Sequence, residues 1–545
     1  MPVIEFSLSD LQSLLGKEIN PEDLEDLLSY VKGELDDFSG DTVKVELKDT
    51  NRIDLWCVEG ISRELKGILG IEEGIPKYEV SSGKYEVYVS EDLKKIRPYF
   101  VGAVVKGVHL GEEGLGSLIQ LQEKIMHSFG LMRKRVAIGT HNLDLIEFPV
   151  RYTAVKPEEI KFVPLKEETE MNLKEILEKT ETGKKYGHLI KDFEKYPIII
   201  DNKGEIISFP PIINSNTIGR LTPETKNIFI DITGPDLKAL LLTLNAIVTA
   251  LADRGGKIES VNVIYSDRKI VTPELKILSK TLDLNKIRKV CGILLSDYDI
   301  INLLKKRRFE SKIENGKLTI SYVNYRDDIL SEYDIAEELL IAYGYNRIDP
   351  KVPEIYTKGK LTRLREFIND IRELLIGLGS VELHTPVLSS EEVVKALNLK
   401  AIKLKNPASK FYNVIRPSLL VSFLQVYKTS KGIPLPAEFF EVGRVLQDTL
   451  KESVNALYIL VDNEVSFTEI KTKIERLFKE LGINYTIGKS KVPFIIEGRG
   501  GSIVVDNQEL GWIGEIHPKV LERLEINTPI AGFEINLSKL LKIIQ

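Results

Sequence analysis

Two polar residues, Asp231 and Thr233, share one face of a predicted strand over residues 227–234. Isoleucine occupies every second position of the same segment, so we expect one face to join a core while the other carries polar groups. A carboxylate and a hydroxyl can exchange hydrogen bonds with a ligand. The alternation leaves two interpretations open: the polar face meets water, or it lines a pocket.

A second group that could do chemistry is acidic and lies between residues 328 and 338. Three of its carboxylates, Asp334, Glu337 and Glu338, fall on one exposed stripe of a predicted helix, and Asp328 precedes them. Oxygen ligands of this kind suit Mg²⁺, which usually keeps several waters and shares its site with a partner or a phosphate. Acids are also favoured at the start of a helix by its dipole, so a solvated amphipathic helix is the alternative.

The segments that must position these groups divide the chain into several domains. Its 545 residues, at roughly 150 residues per domain, predict three or four. Clusters of proline and glycine mark the boundaries of four blocks. These blocks are residues 1–85, 86–270, 271–352 and 353–545. In the first block, Asp54 precedes a predicted helix and is expected to cap it by accepting from free backbone N–H groups.

The composition is that of an ordinary globular protein, with 43% hydrophobic and 29% charged residues. The formal charge of −6 gives no overall basic field, so contact with RNA would need local basic patches. The two cysteines, Cys57 and Cys291, fit a reducing cytoplasm and supply neither a disulfide framework nor a zinc site. The start of the chain lacks the pattern of a signal peptide. The longest uncharged stretch, residues 239–252, is too short to span a bilayer, so we expect a cytoplasmic protein without a membrane partner and a buried helix there.

Short motifs in all four blocks resemble a single protein family. In chain order they are NRIDL and VEGISREL (residues 51–65), RKRVAIGTH (133–141), SFPPIIN (208–214), FIDITGPD (229–236), YRDDILSEYDIAEELLIAYGYNRI (325–348), NPASKFYNVIRPSLL (406–420), FFEVGR (439–444) and GEIHPKVL (514–521). Together they resemble the β subunit of phenylalanyl-tRNA synthetase over nearly the whole chain. Because the chain lacks the inserted barrel and the added C-terminal domain of bacterial relatives, it is similar to the shorter archaeal and eukaryotic type.

The resemblance implies that residues 86–270 form an editing domain, which hydrolyses tyrosine wrongly attached to the phenylalanine tRNA. By the motif match, its pocket is lined by Ser208, Asn214, Asp231 and Thr233. A second, hydrolytic selection step has a physical reason, because an apolar synthetic pocket rejects an added hydroxyl only about 10²-fold. A site built to hydrogen-bond a hydroxyl discriminates by about 10⁴ to 10⁵.

The resemblance also implies a magnesium site near the contact with an α subunit. Its ligands carry over to Asp328, Asp334, Glu337 and Glu338. The block that contains them resembles the family's small helix-turn-helix-like domain. The expected partners are the phenylalanyl-tRNA synthetase α subunit, in an α₂β₂ tetramer, and tRNA(Phe).

The last block resembles the antiparallel-sheet catalytic domain of class II synthetases without the residues that hold ATP. Where an active enzyme has an arginine and a glutamate in the second class II motif, the chain has Leu446, Gln447, Asp448 and Thr449, and the third motif is absent. Adenylate formation needs fixed positive charge on the phosphates, so we expect ATP to be a substrate of the assembled enzyme only. The expected fold is thus α+β and multidomain, with editing, helix-turn-helix-like and degenerate class II domains.

Two other functions remain open from the sequence. The chain could be a stand-alone deacylase that acts in trans, or a noncatalytic RNA-binding scaffold. Residues 377–388, GLGSVELHTPVL, resemble the first class II motif, which is used for dimerisation. This segment and the acidic segment favour a partner-bound subunit over a free hydrolase. The polar residues of the second block argue against a scaffold without chemistry.

Overall fold

The computed structural model describes residues 2–48, 51–430, 432–489 and 492–544. The chain divides into two compact units, residues 1–352 and residues 353–545. Both units mix helices and strands, as the expected α+β class requires. None of the helices in the described ranges is long and apolar enough to cross a membrane.

The first unit begins with a small antiparallel sheet in the order β1-β3-β2. The elements of this part are β1 (Val3–Ser7), α1 (Leu8–Leu15), α2 (Leu24–Ser29), β2 (Gly33–Ser39), β3 (Thr42–Leu47) and α3 (Val58–Ile68). Ser7 begins α1 because its side chain accepts from the backbone N–H of Asp10. Alternate residues of β3 are buried, so one face of the sheet packs against the helices.

A larger sheet follows, and its elements position the candidate pocket. They are β4 (Val80–Val89), β5 (Tyr99–Lys106), α4 (Gly111–His127), β6 (Ala137–Asn142), β7 (Val150–Val155), β8 (Lys161–Phe162), β9 (Met171–Asn172), α5 (Leu173–Lys179), α6 (Glu181–Tyr186), β10 (Tyr196–Ile200), β11 (Ile206–Phe209), β12 (Ile213–Asn214), β13 (Asn227–Gly234), α7 (Leu237–Asp253), β14 (Lys257–Ile264) and β15 (Lys269–Thr272). Within the described ranges the strand order is β12-β11-β10-β7-β4-β14-β5-β13-β6, with β15 paired to β14. The short pair β8 and β9 lies outside this sheet.

The pairing of its strands extends the large sheet beyond residues 86 and 270, the block boundaries expected from the sequence. β4 starts at Val80 and pairs in parallel with β14, so the large sheet begins before residue 86. β15 ends at Thr272, beyond residue 270. Proline and glycine mark turns, but hydrogen bonding between distant strands decides which part a strand joins.

The alternation that predicts a strand over residues 227–234 is confirmed by β13. Ile228, Ile230 and Ile232 belong to the core that α4 and α7 cover. Phe229, on the other face, packs in a second apolar cluster. The predicted buried helix over residues 239–252 lies within α7, which Asp236 caps through the backbone N–H of Ala239. One face of β13 thus belongs to the core, and the opposite face is left for the polar residues.

The last part of the first unit is a three-stranded antiparallel sheet, ordered β16-β18-β17, with three helices. Its elements are β16 (Ile277–Asp283), α8 (Leu284–Cys291), α9 (Asp297–Lys306), β17 (Glu310–Glu314), β18 (Lys317–Val323) and α10 (Glu332–Tyr343). Gly292 ends α8 in the left-handed conformation, and Ser296 begins α9 with a capping box. Ser331 caps α10, and its hydroxyl accepts from the backbone N–H of Tyr333.

A cluster of buried ion pairs joins this last part to the N-terminal part. We call it the arginine–carboxylate cluster, and its members are Arg52, Asp54, Glu64, Arg307, Arg326, Asp328 and Glu338. Arg52 donates to both oxygens of Asp54 at 2.9 and 2.8 Å and to Glu64 at 3.0 Å. Glu338, on α10, accepts from Arg307 and from Arg326, each at 2.6 Å. Between the two parts, Arg307 lies 3.5 Å from Glu64 and Arg52 lies 3.9 Å from Glu338, so these pairs fix how the two parts pack.

The expected cap of α3 by Asp54 is wrong. Cys57 occupies the N-cap position without a side-chain hydrogen bond, and the Asp54 carboxylate pairs with Arg52 instead. Asp54 is buried, and a bidentate guanidinium satisfies both of its oxygens at once. The NRIDL and VEGISREL motifs therefore supply the members of the arginine–carboxylate cluster that belong to the N-terminal part.

The second unit is built on a seven-stranded sheet with helices packed against it, and two of its short strands, β20 and β21, pair separately. Its elements are α11 (Arg363–Gly377), β19 (Val381–Glu382), β20 (Leu388–Ser389), α12 (Glu391–Ala396), β21 (Val414–Ile415), α13 (Leu419–Thr429), β22 (Ala437–Leu446), β23 (Glu452–Val461), α14 (Phe467–Glu480), β24 (Thr486–Lys489), β25 (Ile495–Val505), β26 (Gln508–Ile516), α15 (Pro518–Arg523), β27 (Ile530–Asn536) and α16 (Leu537–Ile543). The order is β19-β22-β23-β27-β26-β25-β24. All neighbours are antiparallel except the short β19, which runs parallel to β22.

Replacing Glu338 with Gln should destabilise the first unit, because Arg307 and Arg326 lose their shared charged partner. Breaking a buried ion pair typically costs about 3–5 kcal/mol. Glu337→Gln is the matched control, since the Glu337 side chain is 48% exposed and that of Glu338 only 8%. An exposed pair contributes at most about 1 kcal/mol. In calorimetric unfolding of the full chain, the free energy of unfolding should fall much further for Glu338→Gln than for Glu337→Gln. Equal unfolding transitions for the two variants would contradict the assignment of Glu338 to a buried ion pair.

Candidate functional site

A cavity of about 630 Å³ opens in the first unit, beside the edge strand β6. Such a volume is typical of sites for small ligands, which occupy about 300–1,000 Å³. Residues from α4, β6, α6, β13 and the β11–β12 hairpin line it. Its polar lining residues are Gln122, Glu123, Arg133, Thr140, Lys166, Glu167, Thr180, Glu181, Thr182, Ser208, Asn214, Asn216, Arg220 and Asp231. Strands from both ends of the large sheet face the same space, so the sheet curls around it.

Asp231 reaches the cavity because its neighbour on the edge strand, Gly139, has no side chain. In the register of β13, Asp231 lies opposite Gly102 of β5 and Gly139 of β6. A Cβ atom at Gly139 would lie 2.2 Å from the Asp231 Oδ2 atom. Glycine on the edge strand thus leaves a gap through which a carboxylate one strand further in faces the cavity.

His141 holds the Asp231 carboxylate from the side away from solvent. The His141 Nε2 atom lies 2.5 Å from Asp231 Oδ2. The two side chains are 0% and 2% exposed. His141 stands opposite Phe229 in the register, so it meets Asp231 diagonally across the two strands. Asp231 is thus a polar lining group of the cavity, and His141 holds it from behind.

Ser208 and Asn214 face each other across the hairpin formed by β11 and β12. They are register partners, and the Ser208 hydroxyl donates to the Asn214 Oδ1 atom at 3.0 Å. Both residues line the cavity together with Asp231. Three of the four pocket residues carried over from the motif match therefore meet in one cavity.

Thr233, the fourth of these residues, lies behind the cavity and is not among its lining residues. Its hydroxyl accepts from the Nε atom of Arg97 at 2.8 Å, and its carbonyl accepts from the same guanidinium. Burial lowers the pKa of Arg97 to about 10, an effect that the charge of Asp231 partly opposes. Sharing a strand face with Asp231 does not bring Thr233 into the pocket, because Arg97 takes up its polar groups.

Several cavity residues were not singled out as pocket residues from the sequence. Gln122 of α4 donates to the Thr140 hydroxyl at 3.2 Å. The Arg133 guanidinium lies 4.2 Å from the ring centre of Tyr186 and donates to the Ile212 carbonyl at 2.8 Å. The RKRVAIGTH motif contains Arg133 and Thr140, but single-strand alternation cannot show which helix covers them.

The candidate metal ligands do not form a common cation site in this structure. Asp328 binds Arg326 through both oxygens, at 2.8 and 2.5 Å, and Glu338 is shared by two arginines. Asp334 accepts from backbone N–H groups at the start of α10, and Glu337 pairs with Lys32 at 2.8 Å. Among the described residues, no three His, Cys, Asp or Glu side chains are grouped to hold a metal ion.

The expected exposed stripe is wrong for Glu338, which is buried. Burial alone would raise the pKa of its carboxyl, but the guanidinium groups of Arg307, Arg326 and Arg52 hold this pKa well below its usual range. The helical wheel shows which acids share a face, whereas it cannot show that arginines from other segments pack there. Paired in this way, Glu338 is a stabilising anion within the arginine–carboxylate cluster.

In the second unit, the arginines beside the expected nucleotide region are already paired. Arg416 is buried and donates to Glu441 at 2.7 Å and to the Thr385 hydroxyl at 2.9 Å. Arg444 pairs with Glu452 at 3.1 Å on the surface. The buried Glu441 carboxylate neutralises the Arg416 guanidinium, so the charge of this arginine is not free to bind another anion.

The structure and the motifs agree with comparisons to known proteins. Residues 348–537 match the family model described as "Phenylalanyl tRNA synthetase beta chain CLM domain", and residues 280–345 match "tRNA synthetase B5 domain". The chain is 42% identical to the phenylalanine-tRNA ligase beta subunit of Pyrococcus abyssi, over 99% of this chain and 100% of the relative. The chain belongs to the phenylalanine-tRNA ligase β-subunit family.

Other members of the β-subunit family give the same result. The Pyrococcus horikoshii relative is 43% identical, over 99% of this chain and 100% of its own length. The relative from Methanocaldococcus jannaschii is 38% identical, over 98% and 100% respectively. A crystal structure of an N-terminal fragment of the P. horikoshii β subunit matches with a TM-score of 0.62 and 49% identity, over 63% of this chain and 100% of the fragment. The resemblance to the archaeal type is thus confirmed.

Replacing Gly139 with Ala should destabilise the first unit, because the added methyl group would collide with Asp231 Oδ2 at 2.2 Å and with His141 Nε2 at 2.7 Å. Overpacking of this kind typically costs about 1–3 kcal/mol. Gly116→Ala is the matched control: Gly116 is exposed on α4 and has no atom within 4 Å of its added Cβ. In a helix that change should stabilise by about 0.5–1 kcal/mol. Thermal unfolding that shifts in the same direction for both variants would contradict this account of Gly139.

Proposed function

We propose that this chain is the β subunit of a phenylalanine-tRNA ligase, inactive in synthesis and competent in editing. In this proposal it hydrolyses tyrosyl-tRNA(Phe) and works with an α subunit, in an α₂β₂ tetramer, that attaches phenylalanine to tRNA(Phe) with ATP. The single observation that carries the editing activity is the buried Asp231 carboxylate in a cavity of about 630 Å³. Membership of the family supports the rest.

The chemistry of the cavity suits a tyrosyl group better than a phenylalanyl group. The two amino acids differ by one hydroxyl, and Asp231 can accept a hydrogen bond from it. When phenylalanine enters, the buried carboxylate stays unpaired on that side, which costs free energy. Discrimination therefore comes from a free-energy penalty when phenylalanine occupies the cavity, in addition to the hydrogen bond that tyrosine gains.

The remaining groups would hold the ester end of the substrate. Ser208 and Asn214 lie on the β11–β12 wall of the cavity, and their mutual hydrogen bond fixes the Asn214 carboxamide. The exposed Arg220 supplies positive charge for the phosphates at the 3′ end of the tRNA. The partly exposed Arg133 adds to it, although Arg133 also pairs with the exposed Glu123 at 3.2 Å. Water then adds to the ester carbonyl, and the bond to the terminal ribose breaks to release free tyrosine and uncharged tRNA.

Synthesis is assigned to the partner subunit. Arg416 is committed to Glu441, and residues 446–449 carry no fixed positive charge for ATP phosphates.

The pure chain should therefore show no phenylalanine-dependent exchange of pyrophosphate into ATP, and this exchange should appear when the α subunit is added. Exchange by the pure chain would overturn this assignment.

Replacing Asp231 with Ala should slow hydrolysis of tyrosyl-tRNA(Phe) by the assembled enzyme about 10- to 150-fold. The reason is the loss of a hydrogen bond to a charged group, worth about 1.5 to 3 kcal/mol. Phenylalanylation by the same preparation should be nearly unchanged. Asp267→Ala, at an exposed aspartate of the same unit, is the matched control.

Two outcomes of this assay would change the proposal. Hydrolysis by Asp231→Ala at the wild-type rate would exclude the cavity as the editing site. Equal hydrolysis by the chain with and without the α subunit would instead make the chain a stand-alone deacylase.

A further inference from the structure

We propose that His141 is the positioning residue that sets the preference for tyrosine in the editing cavity. His141 does not line the cavity. It acts through Asp231, whose carboxylate it fixes as an acceptor for the phenol hydroxyl. This inference rests on the proposed editing function and adds a specificity-determining residue to it.

The first support is the geometry of the contact. Asp231 Oδ2 and His141 Nε2 are 2.5 Å apart between side chains that are almost completely buried. In the register, Asp231 lies opposite Gly102 and Gly139, neither of which offers a side-chain donor. The diagonal neighbour His141 is therefore the side chain that can orient this carboxylate. Its hold on Oδ2 leaves Oδ1 as the oxygen available to a ligand.

The second support is the other nitrogen of the ring. Within the part of the chain that the structure describes, the buried Nδ1 atom of His141 has no hydrogen-bond partner. A proton on Nδ1 would be a buried donor without an acceptor, which costs about 1–3 kcal/mol. A ring with its proton on Nε2 avoids this cost and donates to Asp231. In this tautomer the carboxylate remains an acceptor towards the cavity.

The buried guanidinium of Arg97, which lies near this face of β13, is already occupied. Arg97 donates to the hydroxyl and the carbonyl of Thr233 and to the Lys134 carbonyl at 3.3 Å. On β13 the His141 imidazole has the Phe229 ring as a neighbour, and the two ring centres are 6.1 Å apart. An aromatic ring limits where the imidazole can lie but offers no donor to Asp231. Orientation of the carboxylate thus depends on His141.

The test compares two variants of similar size in the assembled enzyme. Gln at position 141 offers an amide N–H near the place of Nε2, whereas Met fills the same space without a donor. The measured quantity is kcat/KM for hydrolysis of tyrosyl-tRNA(Phe) divided by that for phenylalanyl-tRNA(Phe). We expect His141→Met to lower this ratio about 10- to 100-fold and His141→Gln to keep it within about threefold of the wild type, on the scale of one charge-assisted hydrogen bond. His188→Met, at an exposed histidine of the same unit, should leave the ratio unchanged.

A purely structural histidine would affect stability without changing this ratio in the protein that remains folded. A double variant separates the two roles: in the Asp231→Asn background, His141→Met should cause no further loss of selectivity. If His141→Met does not fold, His141→Gln still tests the inference, because loss of selectivity in this folded variant would overturn it.

Failure of the two proposals can be told apart in the same experiment. Wild-type enzyme that hydrolyses both aminoacyl-tRNAs equally would refute the editing function itself. Wild-type enzyme that prefers the tyrosyl substrate, together with His141→Met that keeps the full preference, would refute only the role of His141.

Discussion

A buried carboxylate is stable only when donors satisfy it, and the architecture around the cavity depends on this constraint. Asp231 is 2% exposed and lies one strand in from the sheet edge. Gly139 on the edge strand leaves room for its side chain, and His141 supplies the donor on one side. The cavity can use the carboxylate for recognition because its second oxygen is not committed to the core. The curl of the large sheet then brings Ser208 and Asn214 to the same space.

The first unit contains two kinds of buried carboxylate, and their partners distinguish what each can do. Glu338 is shared by Arg307 and Arg326, so its charge is neutralised within the protein. Among the residues that the structure describes, the side-chain donor to Asp231 is His141, and Asp231 faces a cavity. A carboxylate surrounded by guanidinium groups stabilises packing, whereas one with an open side can bind a ligand. This difference, more than the residue type, separates the scaffold from the candidate site.

Patterns within one element were predicted well from the sequence. The strand at residues 227–234 and the helix at 239–252 follow from periodicity, and the structure places both there. What periodicity cannot supply is the partner from a distant segment. Arg97 binds the hydroxyl of Thr233, which therefore does not line the cavity. Arg307 binds Glu338 on a helix face that the sequence predicts to be exposed. His141 stood within a recognised motif, but its role depends on a diagonal contact that only the register reveals.

The most direct test of the account is a crystal structure of the complex with a non-hydrolysable tyrosyl-adenosine analogue, in which an amide replaces the ester. The account predicts that the phenol oxygen lies about 2.5–2.8 Å from the Asp231 carboxylate, as expected for an O–H donor to a charged acceptor. The adenosine should lie towards Arg133 and Arg220, and His141 should keep its contact with Oδ2. A ligand bound in the cavity with its phenol pointing to solvent, or bound elsewhere on the chain, would contradict the account.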